Sequence, residues 1–415
     1  MEPSAVELLL GCLSDRLEPS AVSRQPSAIW GEVVEIAAGH GVAPLLFRRL
    51  KESDALALVP ADSRERLRLF YFVSAERNAR LHRALRSVLQ CLCSAGIPVI
   101  VLKGAHLAEA VYGEGALRPM CDVDLMVQKA DLPRAHSALL DLGGVVGYKS
   151  RGTAVGVRHE DIEWLCRRRH HLPPLVVHGL VVEIHWNIVS PTEPVSLDAA
   201  GLWSRSQPAK MAGVDVLALA PEDLLLDLCW HATVVHGLEI GLRPFCDIAL
   251  AIGRFRSRID WAQVEERARE WGASRSVGLT LHLARSMLGA GVPDDVLQWL
   301  VPGGIDQRIL DTAREFVLTR TAYDPVVPLF HQMGARSLRD KVKLSWERVF
   351  VSRRELAAMY PASRGSRYFL FYYARRLRDV VQTYRFNTRQ RSLMRSRGRS
   401  RNESLADWLE SREPL

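Results

Sequence analysis

Apolar residues recur at helical spacing from Val6 to about Cys93, as in Leu81, Leu85, Val88 and Leu89, and predict an α-helical N-terminal region over 1–95. The pattern changes at Gly96-Ile97-Pro98. Val99-Ile100-Val101-Leu102 is a short β-branched run that predicts a buried strand. Helical character returns over 105–112, with Leu107, Ala108 and Val111 on one stripe. Apolar and acidic residues then alternate through Cys121-Asp122-Val123-Asp124-Leu125-Met126-Val127, which predicts a strand with two carboxylates on one face.

From Asp131 to Leu142 an N-cap residue and an apolar period near 3.6 predict a helix ended by Gly143-Gly144. Strand-like stretches follow at 145–148, 175–177 and 180–186, so 96–190 reads as an α/β core. Beyond Pro194 the pattern is helical, over 222–235, 243–252, 261–271 and 277–288, which predicts a helical domain at 191–330. Helical stretches at 339–350 and 367–385 extend this into a C-terminal region at 331–415. No internal repeat is visible, and low complexity is confined to 395–401.

Composition adds a folded character: 415 residues, 48% hydrophobic and 25% charged, suffice for a large core and exclude wholesale disorder. The net charge of +8 is unevenly placed. From His331 to Arg401 there are 19 Lys and Arg against 4 Asp and Glu, so the rest of the chain is net acidic. Seven scattered cysteines in apolar surroundings argue for reduced thiols, and Cys91-Leu92-Cys93 lacks the spacer of a zinc or redox pair. The N-terminus has no basic start and no run approaches a membrane span, so a cytoplasmic protein is expected.

The chemistry centres on acids. Asp122 and Asp124, two apart on a strand, point the same way, and Glu183 lies on another strand at the same expected depth. Three carboxylates on adjacent strands suit Mg²⁺ or Mn²⁺, and two such ions would serve an in-line displacement at phosphorus. Lys103-Gly104, at a strand-to-helix turn, offers a phosphate cradle: glycine admits close backbone approach and lysine adds charge.

Leu102-Lys103-Gly104-Ala105-His106-Leu107-Ala108, Leu117-Arg118, Asp122-Val123-Asp124-Leu125-Met126-Val127, Val182-Glu183-Ile184-His185-Trp186 and the block from His231 and His236 to Leu242-Arg243-Pro244-Phe245-Cys246-Asp247-Ile248-Ala249 together resemble a bacterial nucleotidyltransferase family with an LKGxxLA…R…DxDLLV signature. The resemblance runs from about Ile97 to Leu288. It implies an α+β fold: a DNA polymerase beta-like nucleotidyltransferase core, a small mixed sheet flanked by helices, with helical N- and C-terminal regions. It implies Asp122, Asp124 and Glu183 as metal-binding and catalytic residues, Mg²⁺ or Mn²⁺ as cofactor and a nucleoside triphosphate as substrate. Lys103, Gly104, Arg118 and His185 are then expected to line the nucleotide. The hydroxyl of the superfamily's usual Gly-Ser turn is absent here, because the turn reads Lys103-Gly104-Ala105. Similar proteins occur in bacterial biosynthetic settings, so the acceptor would be an unidentified small molecule, glycan or peptide.

Each residue also has a plainer reading. Lys103 can pair with Asp122 or Asp124, Arg118 can lock its loop, and His185 is either an acceptor-side base or a packed histidine. His170 and His171, after three arginines, read as a basic rim. His231 and His236 are five apart, wrong for an i, i+4 pair, and read as structural; Asp247 and Arg243, four apart, read as an intrahelical ion pair. The aromatic and basic stretch from Tyr368 to Arg385 suits an acidic partner, RNA or an anionic membrane surface, or a docking helix with a solvated arginine face. Two rival functions stand beside the transferase: a non-catalytic nucleotide- or partner-binding protein of the same fold, and a nucleotidyltransferase acting on RNA.

Overall fold

The computed structural model describes residues 4–14, 17, 19–146, 159–167, 169–191, 195, 197–319, 350, 353, 356, 370–378, 405 and 408–409. The N-terminal stretch forms α1 (Ala5–Leu13), α2 (Pro19–Ser23), α3 (Ile29–Gly39), α4 (Ala43–Glu52) and the long α5 (Ala61–Ser94). Strand β1 (Ile100–Val101) enters α6 (Lys103–His106), which continues as a π-turn over Leu107–Val111. Then come β2 (Asp122–Met126), α7 (Leu132–Asp141), β3 (Val145–Val146), α8 (His159–Cys166), β4 (Leu175–Val177) and β5 (Leu180–His185). They are followed by α9 (Ala199–Arg205), β6 (Gln207–Met211), β7 (Val214–Ala218) and α10 (Pro221–Trp230), the last running into a π-turn over His231–Val235. The described helices after it are α11 (Arg243–Phe255), α12 (Trp261–Glu270), α13 (Ser274–Leu288), α14 (Asp294–Leu300) and α15 (Gln307–Thr319).

The strands form one mixed sheet in the order β3-β4-β5-β2-β1-β7-β6, with β2 parallel to β5, β1 parallel to β7 and the other neighbours antiparallel. Alternation along each strand sorts side chains between two cores. Val123, Leu125, Val182 and Ile184 face the C-terminal half of α5 (Leu85, Val88, Leu89, Leu92) and α7 (Leu132, Ala135, Leu139). Each such buried aliphatic side chain contributes about 1.5–3 kcal/mol. The opposite sheet face sends Ile100, Leu102 and Met126 into a larger core built by α1, α3 and α4 together with α10, α11 and α13.

The N-terminal helices share that core with the helices after residue 219. Two features depart from the sequence expectations. The hairpin β6–β7 lies within the stretch read as helical. Ala212 and Gly213, both at positive φ, make its two-residue turn, and Pro208 is tolerated because β6 is an edge strand. In α7, Asp131 pairs with Arg134 at 2.7 Å and makes no capping bond.

At the other end, Leu405 is buried in the larger core and the Trp408 carbonyl accepts a hydrogen bond from Arg275 Nη1 at 2.7 Å. Residues 370–378 are helical, with Leu370 and Phe371 exposed. The arginine-rich 395–401 and most of the basic region fall outside the described residues.

Candidate active site

Parallel pairing of β2 with β5 sets Asp124 directly opposite Glu183 and Met126 opposite His185. Paired residues share a face, and so do residues two apart on a strand, so Asp122, Asp124, Glu183 and His185 all project from the sheet face away from α5 and α7. His185 Nε2 lies 3.3 Å from Asp124 Oδ1 and 3.8 Å from Glu183 Oε2. Ligand atoms of Asp124, Glu183 and His185 all fall within 4.8 Å of one another. Asp122 stands on the same face one step earlier, opposite Val181 and outside that group.

Beyond β5 the sheet edge is rebuilt by 170–172. Leu175 pairs with Val182 in the regular ladder, but His171 pairs with His185 where regular continuation would bring Leu172. The extra residue falls at Pro173-Pro174, which cannot donate to a ladder. This bulge turns Leu172 into the core and His171 onto the site face. The rings of His170, His171 and His185 pack with centroids 4.8–5.3 Å apart.

Burial and the neighbouring histidines push the His170 imidazole down to about 2 and the His171 imidazole down to about 4. The pair is therefore neutral at pH 7, which corrects the basic rim expected from the preceding arginines. His171 Nδ1 lies 2.9 Å from the Leu172 carbonyl, which can only accept, so Nδ1 carries the proton and Nε2 keeps its lone pair. Asp124 behaves oppositely. Burial would raise its carboxyl, but the His185 hydrogen bond and the charges around it outweigh that and hold it well below the usual carboxylate range.

The wall opposite the sheet comes from α6 and α10. Lys103 is buried at positive φ, in the left-handed region that a non-glycine residue rarely adopts, and its Nζ lies 3.6 Å from Asp227 Oδ1 on α10. The pairing with Asp122 or Asp124 weighed from sequence is thus replaced by one with a residue that sequence reading passed over, lost in the apolar run Leu224-Leu225-Leu226-Asp227-Leu228.

Arg118 is engaged elsewhere too. Its Nε and Nη2 donate to the two Asp247 oxygens at 2.8 Å each, and the Tyr112 hydroxyl donates to Oδ1 at 2.8 Å. Asp247 is therefore not the intrahelical partner of Arg243, whose Nη1 instead reaches the Pro119 carbonyl at 3.4 Å. The loop is further held by Asn78 of α5, which donates to the Arg118 carbonyl at 2.7 Å. Gly104 fits closely against this lock: a Cβ there would sit 3.0 Å from Arg118 Nη1, and the guanidinium would have to give by a few tenths of an ångström. Arg118 thus has its bidentate edge on Asp247, the contact that the loop-locking reading calls for.

His231 and His236 do meet. In a π-turn residue i+5 returns over residue i, so the spacing that is wrong for an α-helix puts Nε2 3.1 Å from Nε2. Burial, then the Lys103 charge, hold His231 far below the usual histidine range, so it is neutral.

A family described as uncharacterised nucleotidyltransferase matches residues 26–289. No curated protein matches this chain. A solution structure of the antibiotic-resistance factor ANT(2'')-Ia is similar at 15% identity over 46% of this chain and 98% of that one, with a TM-score of 0.29.

Proposed function

The chain belongs to the uncharacterised nucleotidyltransferase family, with the polymerase beta-like α+β core, and we propose that it moves a nucleoside monophosphate from an NTP to an acceptor at the Asp124–Glu183 face. The observation that carries this reading is the register of β2 against β5, which opposes Asp124 and Glu183 with His185 beside both. Two carboxylates, one held ionised, are a hard-oxygen donor pair suited to Mg²⁺ or Mn²⁺. Asp124 and Glu183 would hold such an ion, and Asp122 on the same face would complete a two-ion arrangement. Bound there, the ions would neutralise charge developing on the transferred phosphoryl group and the leaving pyrophosphate.

The remaining steps belong to the chain itself. Asp124 accepts the His185 hydrogen bond, so Nε2 carries the proton and the ring orients the carboxylate. His185 Nδ1 is buried without a hydrogen-bond partner among the described residues, which disfavours moving that proton to free Nε2 for a metal. Glu183 accepts the hydrogen bond of the acceptor's hydroxyl and aims it in line. Lys103 supplies positive charge toward the triphosphate from the α6 wall. The acceptor is a small molecule, glycan or peptide of a bacterial biosynthetic route.

Pyrophosphate release from each of the four NTPs with Mg²⁺ or Mn²⁺, with the Asp124→Asn variant alongside and intact mass recorded afterwards, tests the reading. Metal-dependent release that disappears in the variant supports it. Equal release by both proteins, or no metal-dependent nucleotide binding at all, overturns it.

A further inference from the structure

Asp227 is a fully buried carboxylate on a helix whose every residue is buried, and neither of its oxygens has a hydrogen-bond partner among the described residues. Its one ion-pair contact among them is the Lys103 ammonium at 3.6 Å, beyond hydrogen-bond reach. A buried ion pair with unfilled lone pairs recovers little of its desolvation cost, so it adds little to stability and a phosphate can compete for the lysine. Lys103 is meanwhile held at φ +32, and its charge also acts on Asp124. Backbone strain in a buried, charged residue points to a position kept for something other than stability.

We propose that Lys103 and Asp227 form a counter-ion switch: Lys103 rests on Asp227 when the site is empty and is handed to the triphosphate when nucleotide enters. The proposal rests on the transferase reading above. Asp227 is then a positioning residue that touches no substrate and acts through Lys103 alone. It holds the lysine inside the wall and competes with phosphate for it. Burial pushes the Asp227 carboxyl up, and the Lys103 charge opposes that shift, so the carboxylate depends on the lysine it holds.

The test is equilibrium binding, in Mn²⁺, of α,β-methylene NTP analogues and of inorganic tripolyphosphate. Coupled sites commonly differ by roughly 5- to 150-fold, and a roughly ten-fold change is expected here. Lys103→Met weakens binding by about that factor, and Asp227→Asn tightens it by about as much. In the Lys103→Met background Asp227→Asn changes nothing. Lys103→Met/Asp227→Leu, an apolar replacement of the whole pair that is expected to fold, binds like Lys103→Met alone.

Tightening that persists without Lys103 would be plain charge repulsion and overturns the switch. Weakening by Asp227→Asn also overturns it, because the carboxylate would then merely hold the fold. Nucleotide binding with a flat cycle removes the switch and leaves the transferase. Tripolyphosphate binding with the expected cycle but no nucleotide binding keeps the switch and removes the transferase. Binding of neither probe removes both.

Discussion

Replacing Asp247 with asparagine separates the two roles open to Arg118. The substitution keeps shape and volume but removes the charge that receives Arg118 Nε and Nη2 at 2.8 Å each and the Tyr112 hydroxyl at 2.8 Å. Both charged side chains are buried, at 11% and 3% exposure, so solvent cannot replace the lost partner. Breaking a buried pair from one side costs about 3–5 kcal/mol, because it leaves the other charge uncompensated. At about 2–4 °C per kcal/mol for a domain of 150–250 residues, the melting temperature should fall by roughly 10 °C. The assay is thermal unfolding of Asp247→Asn and Arg118→Lys beside the parent, with nucleotide binding measured well below each midpoint. Both variants should lose stability and keep nucleotide affinity within about two-fold, since that corresponds to less than 1 kcal/mol. Unchanged melting with lost nucleotide binding in Arg118→Lys would refute the argument and return the guanidinium to the triphosphate.

Other consequences follow from the same geometry. Gly104→Ala places a Cβ 3.0 Å from a guanidinium that Asp247 pins, so it should cost about 1–3 kcal/mol in thermal unfolding. Glu183→Gln should abolish tight Mn²⁺ binding, read by titration calorimetry, and so should Asp124→Asn; retained binding in both would place the ion elsewhere. His170 and His171 have folded values below the unfolded value of about 6.5, so their contribution to stability is complete above pH 6.5 and is lost as pH falls. Melting temperature should therefore drop between pH 6.5 and about 4, the folded value of His171, and His171→Gln should flatten that slope. A level profile in the parent would contradict the neutral cluster.

Much of this was legible in one dimension because strands and helices write their period into the sequence. Alternation through Asp122–Met126 and Leu180–His185 placed the strands and the shared face of Asp122 and Asp124 without reference to any partner. Lys103-Gly104 marked the turn into α6 for the same local reason. The hairpin β6–β7 was missed because Gln207-Pro208-Ala209-Lys210-Met211 has no apolar face of its own and is a strand only beside β7. Its turn, Ala212-Gly213, was the available signal.

The sequence by itself determined which residue types stand two apart on which element, since backbone geometry within a strand or helix is local. Only the tertiary structure decided who meets whom. Asp124 opposite Glu183 depends on the register of two strands separated by more than fifty residues. Asp247 found Arg118 across 129 positions in place of its helical neighbour, and Lys103 found Asp227 inside an apolar helix. The bulge at Pro173-Pro174 turned His171 toward the acids, and a π-turn closed His231 on His236. Long-range pairs such as these are selected by burial. A charge removed from water must take the partner that packing brings to it, and spacing along the chain carries no record of that choice.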